Sequence, residues 1–150
     1  MGKIRYNHRK IDTSRDGSGF IAIPWTVVDC NAYKKLSHPA KSLLLEIARQ
    51  YKGTNNGKLI ATYAYLRTRG WNSSDTITRA KRELVSSGFI HETFKGHRPN
   101  KASLFALTFH SLFVLPGFDI GAMETFKRGA YSENDFLIPT SGVRKKYKVP

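Results

Sequence analysis

Between positions 73 and 82 the chain carries Ser73, Ser74, Thr76, Thr78, Arg79 and Arg82, donor side chains at spacings that suit a nucleic-acid surface. A guanidinium presents paired N–H donors that match O6 and N7 of guanine in a major groove, and hydroxyls at the start of a helix can hold phosphate. The same residues also fit a solvated helix face, with Arg79 paired to Asp75 or Glu83 four residues away. The basic surroundings favour the first reading. A second basic group, Lys95, His97, Arg98 and Lys101, stands in a polar loop between two apolar stretches. It suits contact with phosphate or a minor groove, although any loop tip exposes charge. Arg67 and Arg69 precede the Gly70 turn as candidate phosphate clamps. Lys3, Arg5, Arg9 and Lys10 near the start, and Arg144, Lys145, Lys146 and Lys148 near the end, read as tails that add non-specific affinity.

Charge bounds the partner. Against 25 Lys and Arg stand 11 Asp and Glu, a formal net charge of +14 in 150 residues. Such a field attracts polyanions, chiefly nucleic acid. An apolar content of 40% is enough for one domain with a real core. Cys30 is the single cysteine, so no intramolecular disulfide forms, and a lone thiol suits a reducing cytoplasm. The basic start is followed by no apolar stretch of the leader type, and no run approaches the ~18 apolar residues of a membrane span.

Catalytic chemistry finds little support. The histidines are scattered, Cys30 has no ligand neighbour at zinc spacing, and no nucleophile elbow or phosphate-binding glycine loop occurs. Asp29, Glu46, Asp75, Glu83 and Glu92 are the only carboxylates between positions 20 and 109. They are too dispersed for a two-metal nuclease. The expectation is a protein without enzyme activity, metal or cofactor.

The elements that must position these residues are legible. Residues 1–19 form a basic, flexible arm ending in Gly17-Ser18-Gly19. Residues 20–24 suit a short extended segment or strand, and 27–36 a short helix. Ser37 caps the clearest helix, with Leu43, Leu44, Ile47, Ala48 and Tyr51 on one face. Residues 58–61 read as a short strand and Thr62 as the cap of a helix over 63–69. After the Gly70-Trp71-Asn72 turn, Ser73 caps a longer helix whose buried stripe is Ile77, Ala80, Leu84 and Val85, stopped by Gly88. Two strands follow, over 89–94 and 103–109. Trp71, Tyr51, Phe89, Phe105 and Phe109 read as core aromatics, and one of Tyr63 and Tyr65 faces outward.

Residues 20–109 resemble the winged-helix domain of phage and plasmid replication proteins and related phage regulators. The resemblance lies in Phe20-Ile21-Ala22-Ile23-Pro24, Leu36-Ser37-His38-Pro39-Ala40, residues 50–57, Arg69-Gly70-Trp71, Arg82-Glu83-Leu84, Gly88-Phe89-Ile90 and Ala106-Leu107-Thr108-Phe109. The loop at 95–101 departs from it, being poorer in glycine and carrying Pro99. The resemblance implies an α+β winged helix-turn-helix: a three-helix core, a two- to three-stranded antiparallel wing sheet, and here a C-terminal extension over 110–150. It implies binding of double-stranded DNA in replication or transcription control. Residues 110–128, with Phe113, Leu115, Phe118, Ile120 and Met123, form a surface for a homodimer or else fold back on the core. The alternative function is a protein-interaction module docking on host or replication machinery.

Overall fold

The computed structural model describes residues 16–135. The basic arm at Lys3–Lys10 and the basic run at 144–148 lie outside these residues. The fold is α+β, with several helices on a two-stranded antiparallel sheet.

Two short helices open it, α1 (Trp25–Val28) and α2 (Asn31–Lys35). The single helix expected over 27–36 is divided because Cys30 is extended, its sulfur accepting from the Tyr33 N–H at 3.4 Å as a cap. The break turns Val27, Ala32 and Leu36 into one core. Residues 20–24 form no strand of the described sheet; Pro24 instead starts α1, where its missing N–H leaves nothing unpaired. Helix α3 (His38–Ala48) begins at Ser37, whose hydroxyl accepts from the Ala40 N–H at 3.3 Å. Its apolar stripe buries Leu43, Leu44 and Ile47 completely, each stabilising the fold by about 1.5–3 kcal/mol relative to exposure. Beyond it the Gln50 amide pairs with both backbone groups of Ile60, at 2.8 and 3.0 Å, as a strand neighbour would.

Helices α4 (Tyr63–Arg67) and α5 (Ser74–Ser86) end alike. Gly70 and Gly88 adopt φ of 91° and 81°, a left-handed turn that glycine enters without a Cβ penalty. In each case the following N–H reaches back five residues, Trp71 to the Leu66 carbonyl (3.1 Å) and Phe89 to the Leu84 carbonyl (3.0 Å). Phe89 is buried in the same core as both leucines, and Trp71 packs against that core. Of the two tyrosines on α4, Tyr63 is exposed and Tyr65 packs on the core.

Strands β1 (Ile90–Phe94) and β2 (Leu104–Leu107) pair with Ile90 opposite Leu107 and a bulge between Glu92 and Phe94. The strand expected over 58–61 is reduced to Leu59, which exchanges two backbone hydrogen bonds with Phe105 at 3.0 and 2.8 Å. Thr62 must cap α4, and the chain leaves the sheet to do so.

Residues 110–135 fold back on this core. Asn56, 1% exposed, receives the Leu107 N–H on its side-chain oxygen (2.7 Å) and donates its amide to the Leu107 and Ser111 carbonyls (2.9 and 3.0 Å). Asp119 N–H donates to the Thr93 carbonyl, Gly129 N–H to that of Thr108, and Phe118 lies over Gly57, leaving no space for a Cβ there. Helix α6 (Ala122–Thr125) presents the Ala122 carbonyl to His91 Nε2 at 2.9 Å. A final 3-10 turn (Ala130–Asp135) stacks Tyr131 on Phe89 with ring centroids 5.2 Å apart. Phe113, Val114, Ile120 and Met123 nevertheless remain exposed.

Two outcomes follow from these contacts. A Cβ on Gly88 would lie 2.7–2.8 Å from backbone atoms of Ala130 and Tyr131, whereas Gly53, at φ 94°, has open space around it. Gly53→Ala should therefore cost about 1–2 kcal/mol in urea unfolding for its backbone alone. Gly88→Ala should cost more, and should make residues 110–135 the first to be cleaved in limited proteolysis. The His110 ring stacks on Tyr51 at 4.1 Å. Its burial, and then the charge of Arg128, push its pKa below the ordinary value. The unfolded chain thus takes up that proton more readily than the folded one. Stability from this site is complete above about pH 6.5 and is lost as pH falls toward the lowered folded value. His110→Phe should flatten the pH dependence of the melting temperature in that window.

Candidate nucleic-acid interface

Helix α5 is fixed by what it buries. Ile77, Ala80 and Leu84 face the core, and α3 is its main helical neighbour. Val85, expected in the stripe, is 43% exposed. One residue is about 100° of helix rotation, so Val85 is carried off the narrow Leu84 stripe. The opposite crest shows Asp75, Arg79, Arg82 and Ser86, all exposed.

The pairing of Arg79 with Asp75 or Glu83 does not form. Glu83 lies toward α3 and accepts from the Ser37 N–H at 2.7 Å and the Ser37 hydroxyl at 2.6 Å. A carboxylate at a helix N-terminus satisfies an orphan donor and complements the helix dipole, so Glu83 caps its neighbour instead of neutralising Arg79. Arg79 and Arg82 have no hydrogen-bond or ion-pair partner among the described residues. The described part of the C-terminal extension makes no hydrogen bond or ion pair to either.

The hydroxyls divide. Ser73 caps α5 by accepting from the Thr76 N–H at 3.2 Å, and Thr78 donates to the Ser74 carbonyl at 3.0 Å. Ser74 is exposed, and Thr76 half-buried, beside the crest. Arg67 is exposed at the end of α4. Arg69 is held by Glu46, Nε to Oε2 at 2.9 Å, so any phosphate there competes with an existing ion pair.

The basic loop is a true hairpin tip. Its backbone closes through the Lys101 N–H to the His97 carbonyl (3.0 Å), and Lys95 N–H is anchored by the Asp119 carboxylate (2.7 Å). Lys95, His97, Arg98 and Lys101 are all exposed. A hollow of about 480 Å³ lies between this tip and Thr62. A groove of about 400 Å³ runs between α5 and the sheet, lined by Thr78, Lys81, Arg82, Val85, Glu92 and Phe105 among others. Burial lowers the Lys81 pKa there, and the nearby Glu92 opposes that shift.

Nothing in the sequence pattern singles out Lys81. Its place beside the core stripe was readable from helical spacing, but its approach to Glu92 was not, because that contact depends on where the sheet docks. The described residues contain no group of three or more His, Cys, Asp or Glu that could hold a metal ion. They contain no helix long and apolar enough to cross a membrane. The chain matches no family model, no curated protein and no solved structure.

If Glu83 is the link between α3 and α5, Ser37→Ala and Glu83→Ala should be non-additive. A double-mutant cycle in urea is expected to give a coupling of about 1 kcal/mol, reduced from the buried case by solvent at Ser37. Because Ser37→Ala leaves the backbone N–H bond in place, additive losses would show that the hydroxyl half of the contact contributes nothing measurable.

Proposed function

We propose that this chain binds double-stranded DNA as a winged helix-turn-helix protein, with α5 entering the major groove and the 95–101 hairpin lying on the flanking backbone. The observation that carries this reading is the crest of α5: Arg79 and Arg82 stand exposed and unpartnered while the nearest downstream acid, Glu83, is turned to another helix. Two unneutralised guanidiniums directly opposite a buried stripe are held in direction by the packing of Ile77, Ala80 and Leu84, so their approach to base edges needs no rearrangement of the helix. Ser74, Thr76 and Arg67 flank them as phosphate contacts. Lys95, His97, Arg98 and Lys101 extend the basic surface along the duplex. The net charge of +14 supports a large counterion-release contribution. The biological setting we assign is a cytoplasmic replication or transcription regulator of phage or plasmid type.

A second surface is favoured by a separate observation. Val114 and Ile120 are 72% and 107% exposed on the extension, which suits a second copy or a replication or host protein there. Because the described part of the extension makes no hydrogen bond or ion pair with the guanidiniums of the crest, occupancy of that surface is compatible with DNA at α5.

Fluorescence anisotropy on random-sequence duplex DNA across a salt series tests the proposal. Affinity should fall steeply with salt. The Arg79→Ala/Arg82→Ala variant should bind more weakly with a shallower slope, and Arg82→Ala alone should lose about 1–3 kcal/mol at a selected site. Absence of binding at low salt would withdraw the DNA reading and direct attention to a protein partner.

A further inference from the structure

One acid occupies the crest of α5. Asp75 is exposed in the first turn, on the same face as Arg79 and Arg82. It has no hydrogen-bond or ion-pair partner among the described residues. On a surface that only neutralised phosphates, a carboxylate there would weaken binding. Its favourable interaction with the helix dipole is available at other first-turn positions, including ones off the crest. Helix α5 also has a cap in Ser73.

We infer that Asp75 is a specificity-determining residue that selects cytosine, so that α5 reads a site bearing G·C pairs; this rests on the DNA-binding reading above. An ionised carboxylate only accepts hydrogen bonds. In the major groove it finds donors at cytosine N4 and adenine N6, and adenine sets the N7 acceptor beside its donor. Guanine and thymine present acceptors there, N7 and O6 or O4, and these repel it. Cytosine is the one base that offers a donor without an adjoining acceptor on its own edge. At 1.5 Å of rise per residue, Arg79 stands about 6 Å and Arg82 about 10.5 Å along α5 from Asp75. These offsets are about two and three base-pair steps of 3.4 Å. The three side chains therefore address different base pairs, Asp75 a cytosine and each arginine a guanine.

The test is selection of bound sequences from a random duplex library by the full chain, with Asp75→Asn and Asp75→Ala in parallel. Thermal melting of each protein verifies that it is folded. Wild type should enrich a motif with cytosine preferred at one position by at least about fivefold. Asp75→Ala should flatten that position alone while binding random duplex at least as tightly as wild type. Asp75→Asn, which keeps the size and can itself stand near a helix start, should move the preference toward adenine, because a carboxamide matches N6 and N7. The same motif with unchanged preferences in both variants would overturn the inference and leave Asp75 a dipole complement only. Duplex binding by wild type without any enriched motif would also overturn it while leaving DNA binding intact. No duplex binding at all would remove both.

Discussion

The Glu83 carboxylate between α3 and α5 is the interaction on which the arrangement turns. It takes the N–H and the hydroxyl of Ser37 at 2.7 and 2.6 Å, so one side chain closes the start of α3 from the body of α5. The contact joins the two helices at the edge of the core that packs them, where Leu43, Leu44, Ile47, Ala80 and Leu84 are buried. Its second consequence is electrostatic. A carboxylate four residues beyond Arg79 would ordinarily neutralise it along the helix, and here that acid is engaged elsewhere. Packing and surface charge are thus coupled through one residue, and the basic crest on which the proposed DNA contact depends is left open by a bond made inside the fold.

A second constraint comes from backbone groups that have no strand to pair with. Asn56 supplies an amide in place of a missing strand, serving Leu107 on both its N–H and its carbonyl and reaching Ser111 in the extension. Gln50 does the same for Ile60. A buried backbone group without a partner would cost about as much as a lost hydrogen bond. These side-chain amides therefore let a two-stranded sheet and a helical core coexist with little regular pairing. Asn56 also ties residues 110–135 to the domain, with Tyr131 completing the aromatic stack on Phe89. In the proposed role, this leaves the hairpin tip anchored at its base, since Asp119 of the extension holds the Lys95 N–H.

Much of the frame was legible along the chain because its signals are local. Ser37, Thr62 and Ser73 each cap the helix they were expected to cap, and Gly70 and Gly88 close their helices, because capping involves atoms within a few residues of one another. The alternation of helix and strand from 37 to 107 was visible for the same reason. Expectation and structure part where the outcome depends on distant neighbours. Val85 is apolar and adjacent to Leu84, which suggests burial, but the stripe that packs is only as wide as Ile77, Ala80 and Leu84. The strand at 58–61 shrank to one paired residue because α4 claims Thr62. The helix at 27–36 broke at Cys30 so that both of its halves could reach the core.

Of the candidate contacts, the types and order were readable, and their availability was not. The sequence alone established a basic chain of one-domain size, its helix caps and stops, and the cluster of hydroxyls and arginines over 73–82, since composition and short-range spacing are properties of the chain itself. It left open whether Arg79 pairs with an acid, whether Arg69 is free, and whether residues 110–128 lie on the core. Only the tertiary structure decided these, by turning Glu83 to Ser37, joining Arg69 to Glu46 and seating the extension against Gly57, Gly88 and Thr93. The physical reason is that a charge's partner is chosen by proximity in space, and proximity between residues dozens of positions apart exists only after the core has packed.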